Sequence, residues 1–245
     1  PKAIVPVALY GMPYDCERIM AVAKKYDIPV VEDAAEGFGS CYKGQMLGTF
    51  GRFGVWSFNG NKMITTSGGG ALLCQTAEDK EKIMWYATQA REAYPYYQHE
   101  EIGYNYRMTN LQAALGVAQM ECLEKFITVK ERNYDFYVQE INGKNGLEML
   151  PFRTDVRSNK WFYSVLLKDC DRTTDDILAG MSEAKIQTRP IWKLISDLEP
   201  YKDAQRADLS KAKYYFERVM NIPCTTNLTL EDAAVVVERL LEITK

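Results

Sequence analysis

Histidine is nearly absent from this chain: His99 is the single one among 245 residues. That scarcity argues against zinc sites built on histidine pairs, and it leaves any Ser-His-Asp triad dependent on one residue. The six cysteines (Cys16, Cys41, Cys74, Cys122, Cys170, Cys224) stand singly, with no Cys-x-x-Cys pair. Such spacing is expected of free thiols in a reduced, cytoplasmic protein rather than of a disulfide framework. No run of 18 apolar residues is present, so no membrane-spanning helix is expected. No basic-then-apolar leader opens the chain either. Lysine and arginine number 30 against 33 aspartates and glutamates, a net charge of −3 that gives no footprint for nucleic acid. Internal repeats, low-complexity tracts and flexible linkers are also missing.

What is present is enough for a core: 47% of the residues are apolar and 26% charged. The first 75 residues alternate strand-like and helix-like patterns. Ala3–Leu9, Ile28–Val31, Gly54–Phe58 and Gly69–Cys74 read as buried strands. Asp15 caps a helix with an apolar face of Ile19, Val22, Ala23 and Tyr26. Continuous apolar strands joined by crossovers predict an α/β fold with a parallel or mixed sheet covered on both faces. Thr76 opens a helix to about Ala90, and the Tyr-rich stretch Arg91–Met108 reads as a loop.

Thr109-Asn110-Leu111-Gln112 is a capping box that starts one long helix with Leu111, Ala114, Leu115, Ala118, Cys122 and Phe126 on its apolar side. The run Lys130-Glu131-Arg132 reads as its solvated face. Beyond it, Trp161–Leu167 is an expected strand, Thr173–Ala184 a capped helix and Lys185–Thr188 a short strand. Thr229 caps a final helix with core positions Ala233, Val236, Val237 and Leu240. The expected division is residues 1–125 as a large domain and 126–245 as a small α+β domain. Pro1, followed almost at once by a strand pattern, suggests that an upstream portion lies outside this sequence.

The chemistry concentrates around Lys62. The strand Val55–Phe58 delivers it into small polar residues and glycines, ending in Thr65-Thr66-Ser67-Gly68-Gly69-Gly70. Asp33 ends another buried strand, and strand carboxyl ends are where such sheets gather ligands. A lysine able to form a Schiff base, with an acid to hold a pyridine nitrogen protonated, is the minimal protein kit for pyridoxal phosphate (PLP). A solvated surface lysine and a strand-end aspartate that caps a turn are the ordinary alternatives.

The motifs Leu9-Tyr10-Gly11, Glu32-Asp33-Ala34-Ala35-Glu36, Gly48-Thr49-Phe50-Gly51, Trp56–Lys62, Gly68-Gly69-Gly70, Gly103–Met108, Arg189-Pro190-Ile191-Trp192 and Asn221-Ile222-Pro223 cover nearly the whole chain. In that order they resemble the DegT/DnrJ/StrS family of nucleotide-sugar aminotransferases. The resemblance implies the PLP-dependent transferase fold type I, aspartate aminotransferase-like, with a mixed, mostly parallel sheet in the large domain. The family's usual chain is longer at its N-terminus, in line with the reading of Pro1.

The same resemblance implies roles. Lys62 is the Schiff-base lysine and proton shuttle, Asp33 the partner of the pyridine nitrogen and Ser57 a donor to the cofactor phosphate. Glu36 is a cofactor neighbour, and Asn105 reaches a partner subunit's phosphate across a homodimer interface. Arg189 and Trp192 border the sugar-nucleotide pocket. Arg107 either pairs an anion or braces the following helix, and His99 is structural. The tyrosines at 94, 96, 97, 104 and 106 either stack on uracil or pack on a partner subunit. Glutamate is the implied amino donor.

Ser67-Gly68-Gly69-Gly70 and Ala87–Glu92 are closest to 4-aminotransferases of the N-acetylbacillosamine kind, which act on a UDP-linked 4-keto-6-deoxy-N-acetylglucosamine. Perosamine synthases, with a GDP-linked 4-keto sugar, are the alternative. A dehydratase or deoxygenase is disfavoured because such relatives carry histidine where this chain has Lys62. A regulatory protein that keeps the fold without catalysis is the reading from a different class.

Overall fold

A computed structural model describes all 245 residues. In chain order its regular elements are α1 (Cys16–Tyr26), β1 (Val31–Asp33), β2 (Cys41–Tyr42), β3 (Gln45–Met46), β4 (Phe53–Ser57), β5 (Gly70–Cys74), α2 (Ala77–Ala87), α3 (Asn110–Glu121) and α4 (Leu123–Ile141). They continue with β6 (Leu147–Met149), β7 (Val156–Arg157), β8 (Tyr163–Leu167), α5 (Thr174–Glu183), β9 (Arg189–Pro190), α6 (Ser210–Arg218), β10 (Val219–Ile222) and α7 (Leu230–Ile243). Two compact units result: Pro1–Ile127 with Arg153–Trp161, and Thr128–Phe152 with Phe162–Lys245. No helix is long and apolar enough to cross a membrane.

In the first unit β1 runs parallel to β4 with Asp33 opposite Val55, and β5 runs antiparallel to β4 with Ser57 opposite Gly70. The sheet is therefore mixed. The expected strand over residues 3–9 is reduced to two parallel bridges, Ile4 with Val30 and Val7 with Asp33. Pro6 lies between them and has no N–H to give, so the ladder is interrupted there. The expected strand at Ile28–Val31 lies two to three residues later, as β1. A tight hairpin, β2–β3, turns on Lys43 and Gly44, both at positive φ, and β7 pairs on the other side of β2. That pairing places the segment just after β7 in the first unit.

Side-chain caps start the helices as the sequence predicts. Asp15 accepts from the Arg18 N–H (3.2 Å) and Thr76 from the Asp79 N–H (3.1 Å). Thr109 and Gln112 form the reciprocal box. The single long helix expected beyond Thr109 is instead two, α3 and α4, parted at Cys122. No residue of α3 is buried within the chain, and Leu111 is 85% exposed. Leu111, Leu115, Val117 and Met120 are spread around its circumference, so no single stripe can be sequestered by one neighbour. On α1 the expected face is only partly covered: Ala23 is buried, but Val22 and Tyr26 are exposed.

The second unit is an antiparallel sheet of order β6-β8-β10-β9. All five residues of β8 are buried. The expected strand starting at Trp161 begins at Tyr163, and the one at Lys185–Thr188 forms at Arg189–Pro190. The core joins Tyr137 and Ile141 of α4, Ile177 and Met181 of α5, and Tyr163, Val165, Met220 and Ile222 of the sheet. Ala233, Val236, Val237 and Leu240 of α7 complete it, all four where the sequence puts them.

Lys130 departs from expectation. Along α4 the buried positions Leu123, Ile127, Lys130, Tyr134, Tyr137 and Ile141 recur at helical spacing. Lys130 lies on that stripe and is buried, while Arg132 is exposed. Its Nζ donates to the Cys224 carbonyl (2.5 Å) and lies 5.3 Å from the Tyr163 ring centroid. Burial lowers the pKa of Lys130 and raises that of the Cys224 thiol. Native Lys130 thus releases its proton at a lower pH than the unfolded chain does. Between those two values the unfolded state binds more protons, so this residue's share of the stability rises with pH. Subtracting the pH–stability curve of Lys130→Met from that of the wild type should leave a positive slope on the approach to pH 10.5, measured by urea unfolding.

Candidate active site

The site is built where β1 and β4 end side by side. Glu32 and Asp33 are successive strand residues and therefore face opposite ways. Glu32 is fully buried and Asp33 half-buried. The Glu32 carboxylate collects four donors. Its Oε2 accepts from the Tyr14 hydroxyl (2.7 Å) and the Gly48 N–H (2.9 Å), and its Oε1 from the N–H groups of Phe50 (2.6 Å) and Gly51 (2.7 Å). Charge-assisted bonds of this kind offset the cost of burying a carboxylate. Burial first, and then the bond to Glu32, push the Tyr14 hydroxyl far above its usual range. The turn of residues 47–51 wraps this carboxylate. Gly48 there holds a left-handed φ of 88°, and a Cβ on it would lie 2.5 Å from Trp56 Nε1.

On the other side of the strand, Asp33 Oδ1 accepts from the Ala35 N–H (3.2 Å) and so turns the chain. Ser57 ends β4 two residues beyond Val55, the partner of Asp33. The aspartate and the serine hydroxyl therefore lie at the carboxyl ends of neighbouring parallel strands. The loop from β4 to β5 is closed by Phe58 N–H to Gly69 O (3.0 Å) and Thr66 N–H to Phe58 O (2.9 Å). Lys62 is held within it by its own N–H to Asn59 O (3.1 Å). The Thr65 N–H donates to Gln119 Oε1 (3.3 Å), which ties the loop to α3.

The Lys62 side chain is 14% exposed, with Nζ 3.9 Å from Glu36 Oε1. The other Glu36 oxygen accepts from the Tyr10 N–H (2.7 Å). The Trp161 ring centroid lies 4.3 Å from Lys62 Nζ. Trp161 follows buried Asn159, whose Nδ2 donates to the carbonyls of Glu36 (2.8 Å) and Phe38 (2.9 Å). The Asn159 Oδ1 in turn accepts from the Trp161 N–H (3.0 Å). Gly11 must lack a side chain here, because a Cβ would come within 1.8 Å of Asn159 Oδ1.

Four candidates, Asp33, Glu36, Ser57 and Lys62, thus fall in the β1–β4 region of the first unit. Asn105 belongs to the same unit but lies exposed in the tyrosine-rich loop, bridged to Thr88. Arg189 and Trp192 belong to the second unit, both exposed, with Arg189 on edge strand β9 and Trp192 edge-on to Phe162 (6.0 Å between ring centroids). Sequence reasoning missed Glu32 as a structural centre, Trp161 as a neighbour of Lys62 and Asn159 as the link between Trp161 and Glu36. A charged residue set directly between the apolar pair Val30–Val31 and the strand-end Asp33 could have pointed to Glu32. Asn159 and Trp161 reach the site through contacts across about a hundred residues and carry no local signal.

The residues fit PLP by the chemistry of the donor set. A sheltered amine can meet its aldehyde, a strand-end carboxylate its ring nitrogen and a hydroxyl its phosphate. The model of the DegT/DnrJ/EryC1/StrS aminotransferase family matches residues 1–241. EpsN of Bacillus subtilis (strain 168), provisionally named a pyridoxal phosphate-dependent aminotransferase, is 37% identical over 247 residues, covering 99% of this chain and 63% of EpsN. A GDP-perosamine synthase of Escherichia coli O157:H7 is 34% identical over 242 residues, covering 98% of this chain and 65% of the synthase. The chain therefore spans less than two thirds of either relative. Among solved structures, the aminotransferase PseC of Helicobacter pylori, involved in pseudaminic acid biosynthesis, superposes with a TM-score of 0.90 at 24% identity over 99% of this chain and 67% of PseC. The fold is accordingly the α/β fold type I expected from the sequence.

Glu32→Gln tests the buried carboxylate. One face of the amide must point an NH2 group at donors, leaving at least one buried N–H without an acceptor. Urea unfolding should show a loss of about 3 kcal/mol, and an unchanged midpoint would sink this account of the 47–51 turn.

Proposed function

Since this chain belongs to the DegT/DnrJ/EryC1/StrS aminotransferase family, we propose that it carries the lysine-bearing part of a PLP-dependent enzyme. That enzyme moves an amino group from glutamate to C4 of a nucleotide-linked 4-keto-6-deoxy sugar. The carrying observation is the sheltered Lys62 amine between Glu36 and Trp161, on the loop that leaves β4 after Ser57, with Asp33 at the end of the neighbouring parallel strand. In this reading residues 1–125 hold the cofactor and 126–245 supply the small domain, apart from the stretch Arg153–Trp161 that packs with the first unit.

PLP, when bound, supplies an aldehyde that captures amines and a protonated ring that draws electrons from the carbon losing its proton. The Asp33 carboxylate keeps that ring nitrogen protonated, and the Ser57 hydroxyl donates to the phosphate. Lys62 Nζ would take the proton from the donor carbon that bears the amino nitrogen and deliver it to the cofactor carbon on the other side of that nitrogen. Glu36 faces the amine and balances its charge when it is free. Arg189 and Trp192 border the nucleotide sugar.

Ser67-Gly68-Gly69-Gly70 supports a UDP-linked 4-keto-6-deoxy-N-acetylglucosamine as the acceptor. The 34% identity to a GDP-perosamine synthase favours a GDP-linked sugar as the second reading. One trapping experiment addresses cofactor, donor and acceptor together. Protein incubated with PLP and reduced with borohydride should carry the label on Lys62, and Lys62→Ala should carry none. Glutamate added before the reductant should abolish the Lys62 label, and only the accepted 4-keto sugar, UDP- or GDP-linked, should restore it. A wild-type protein never labelled at Lys62 would end this reading.

The active unit in this proposal is a homodimer in which Asn105 reaches the partner's cofactor phosphate. Its support is the cluster of exposed apolar residues over 94–120, from Tyr96 and Tyr97 through Ile102 and Tyr106 to Leu111 and Val117. Exposed surface of this kind on a single chain marks an interface. In sedimentation velocity the wild type should run as a dimer and Leu111→Asp should shift toward monomer. A wild type that remains monomeric at all concentrations would refute it.

A further inference from the structure

The amine of Lys62 is held from two sides, and the two sides are wired to each other. On one side is the Glu36 carboxylate, 3.9 Å from Nζ. On the other is the face of Trp161, whose centroid lies 4.3 Å away. The Trp161 ring is itself 3% exposed and its Nε1–H donates to Asn61 O (2.7 Å), the carbonyl immediately before Lys62. One indole thus meets both the backbone that carries the lysine and the ammonium at its tip. The second wire is Asn159. It accepts from the Trp161 N–H and donates to the Glu36 carbonyl, so a shift of one jaw displaces the other. Asn159 is fixed in turn by its own N–H to Ser40 Oγ (2.9 Å), and Ser40 Oγ donates to Gly11 O (2.6 Å).

We propose that Trp161 is a positioning residue for Lys62, fixing the direction of its amine against Glu36 through the indole face and the Asn61 bond, with Asn159 as the link that sets both jaws. The inference rests on the reading of Lys62 as the cofactor lysine for its bearing on the reaction, but not for its test. A lysine on a flexible four-carbon stem loses reach and aim when its tip is unconstrained, and proton transfer requires it within hydrogen-bond reach of one carbon. A cation over an indole face is attracted without being consumed as a hydrogen-bond donor, so the amine stays available for reaction. Phenylalanine at 161 would keep the face and lose the Asn61 bond; methionine would fill space without a face.

Competitive acylation of the cofactor-free protein, read by peptide mass spectrometry, tests the clamp directly. Labelling of Lys62 relative to the exposed lysines should rise about fivefold in Trp161→Met, stay within about twofold of wild type in Trp161→Phe, and rise in Glu36→Gln, which retains an acceptor for the Tyr10 N–H. With PLP and substrates, Trp161→Met should lower kcat about tenfold with KM little changed, and Trp161→Phe should recover most of it. Unchanged Lys62 labelling in Trp161→Met, or equal increases in the Met and Phe variants, would overturn the proposal. Should Trp161→Met fail to fold, the Glu36→Gln and Trp161→Phe labelling decide it: no rise in the first, or a large rise in the second, overturns it. Absence of PLP capture by wild type would remove the functional reading while leaving the labelling result to judge the clamp.

Discussion

Everything at the site hangs on a carboxylate that does no chemistry. Glu32 is buried in the middle of β1 and is worth burying only because four donors converge on it. Three of those donors are backbone N–H groups of one turn, at Gly48, Phe50 and Gly51. The glutamate therefore dictates the path of the turn that leads into β4. The pleat then leaves no freedom to its neighbour: with Glu32 committed inward, Asp33 must point to the opposite face. The parallel register of Asp33 with Val55 carries the consequence to Ser57, two residues on, and from there to the loop of Lys62. A structural acid thus fixes where the candidate acid, hydroxyl and amine stand.

How much of this was legible beforehand follows from the range of each interaction. Caps are local, and Asp15, Thr76, Thr109, Thr173 and Thr229 each accept the N–H three residues on, where the sequence puts them. The core stripe of α7 follows from periodicity alone. Lys130 was legible in principle, since it stands three residues after Ile127 and four before Tyr134; reading Lys130-Glu131-Arg132 as one charged run concealed that only Arg132 of the three is exposed. Pro6 likewise stood in plain view inside an expected strand. Asn159 and Trp161 are another matter. Asn159 bonds to Phe38 and Trp161 to Asn61 across some hundred residues, and nothing near residue 160 announces them.

The helix α3 presents apolar residues that nothing within this chain buries. Its Thr109–Gln112 box forms as expected, so the local signal was sound. Its apolar residues nonetheless remain uncovered within this chain. Intrinsic helix formation and a cap are worth only about 1 kcal/mol each way, too little to hold Leu111 and Val117 in water without cause. The proposed dimer would resolve the conflict by covering these residues, and the adjoining tyrosine-rich loop, exposed in the same manner, would extend the covered surface.

Magnitudes separate the two jaws at Lys62. Unit charges about 4 Å apart attract by ~4 kcal/mol at an effective dielectric of about 20, whereas a cation over an aromatic face gains about 1–2 kcal/mol. Glu36 therefore supplies most of the gross attraction, and part of that is returned as desolvation of both ions. If attraction were the whole purpose, Trp161 would add little. A carboxylate alone, however, is approached equally well from many directions by a flexible ammonium, and the planar indole removes most of them. The acid holds the charge and the ring selects the angle. In the proposed reaction Lys62 would leave and return to the same atom at each turnover, and that would demand the second more than the first.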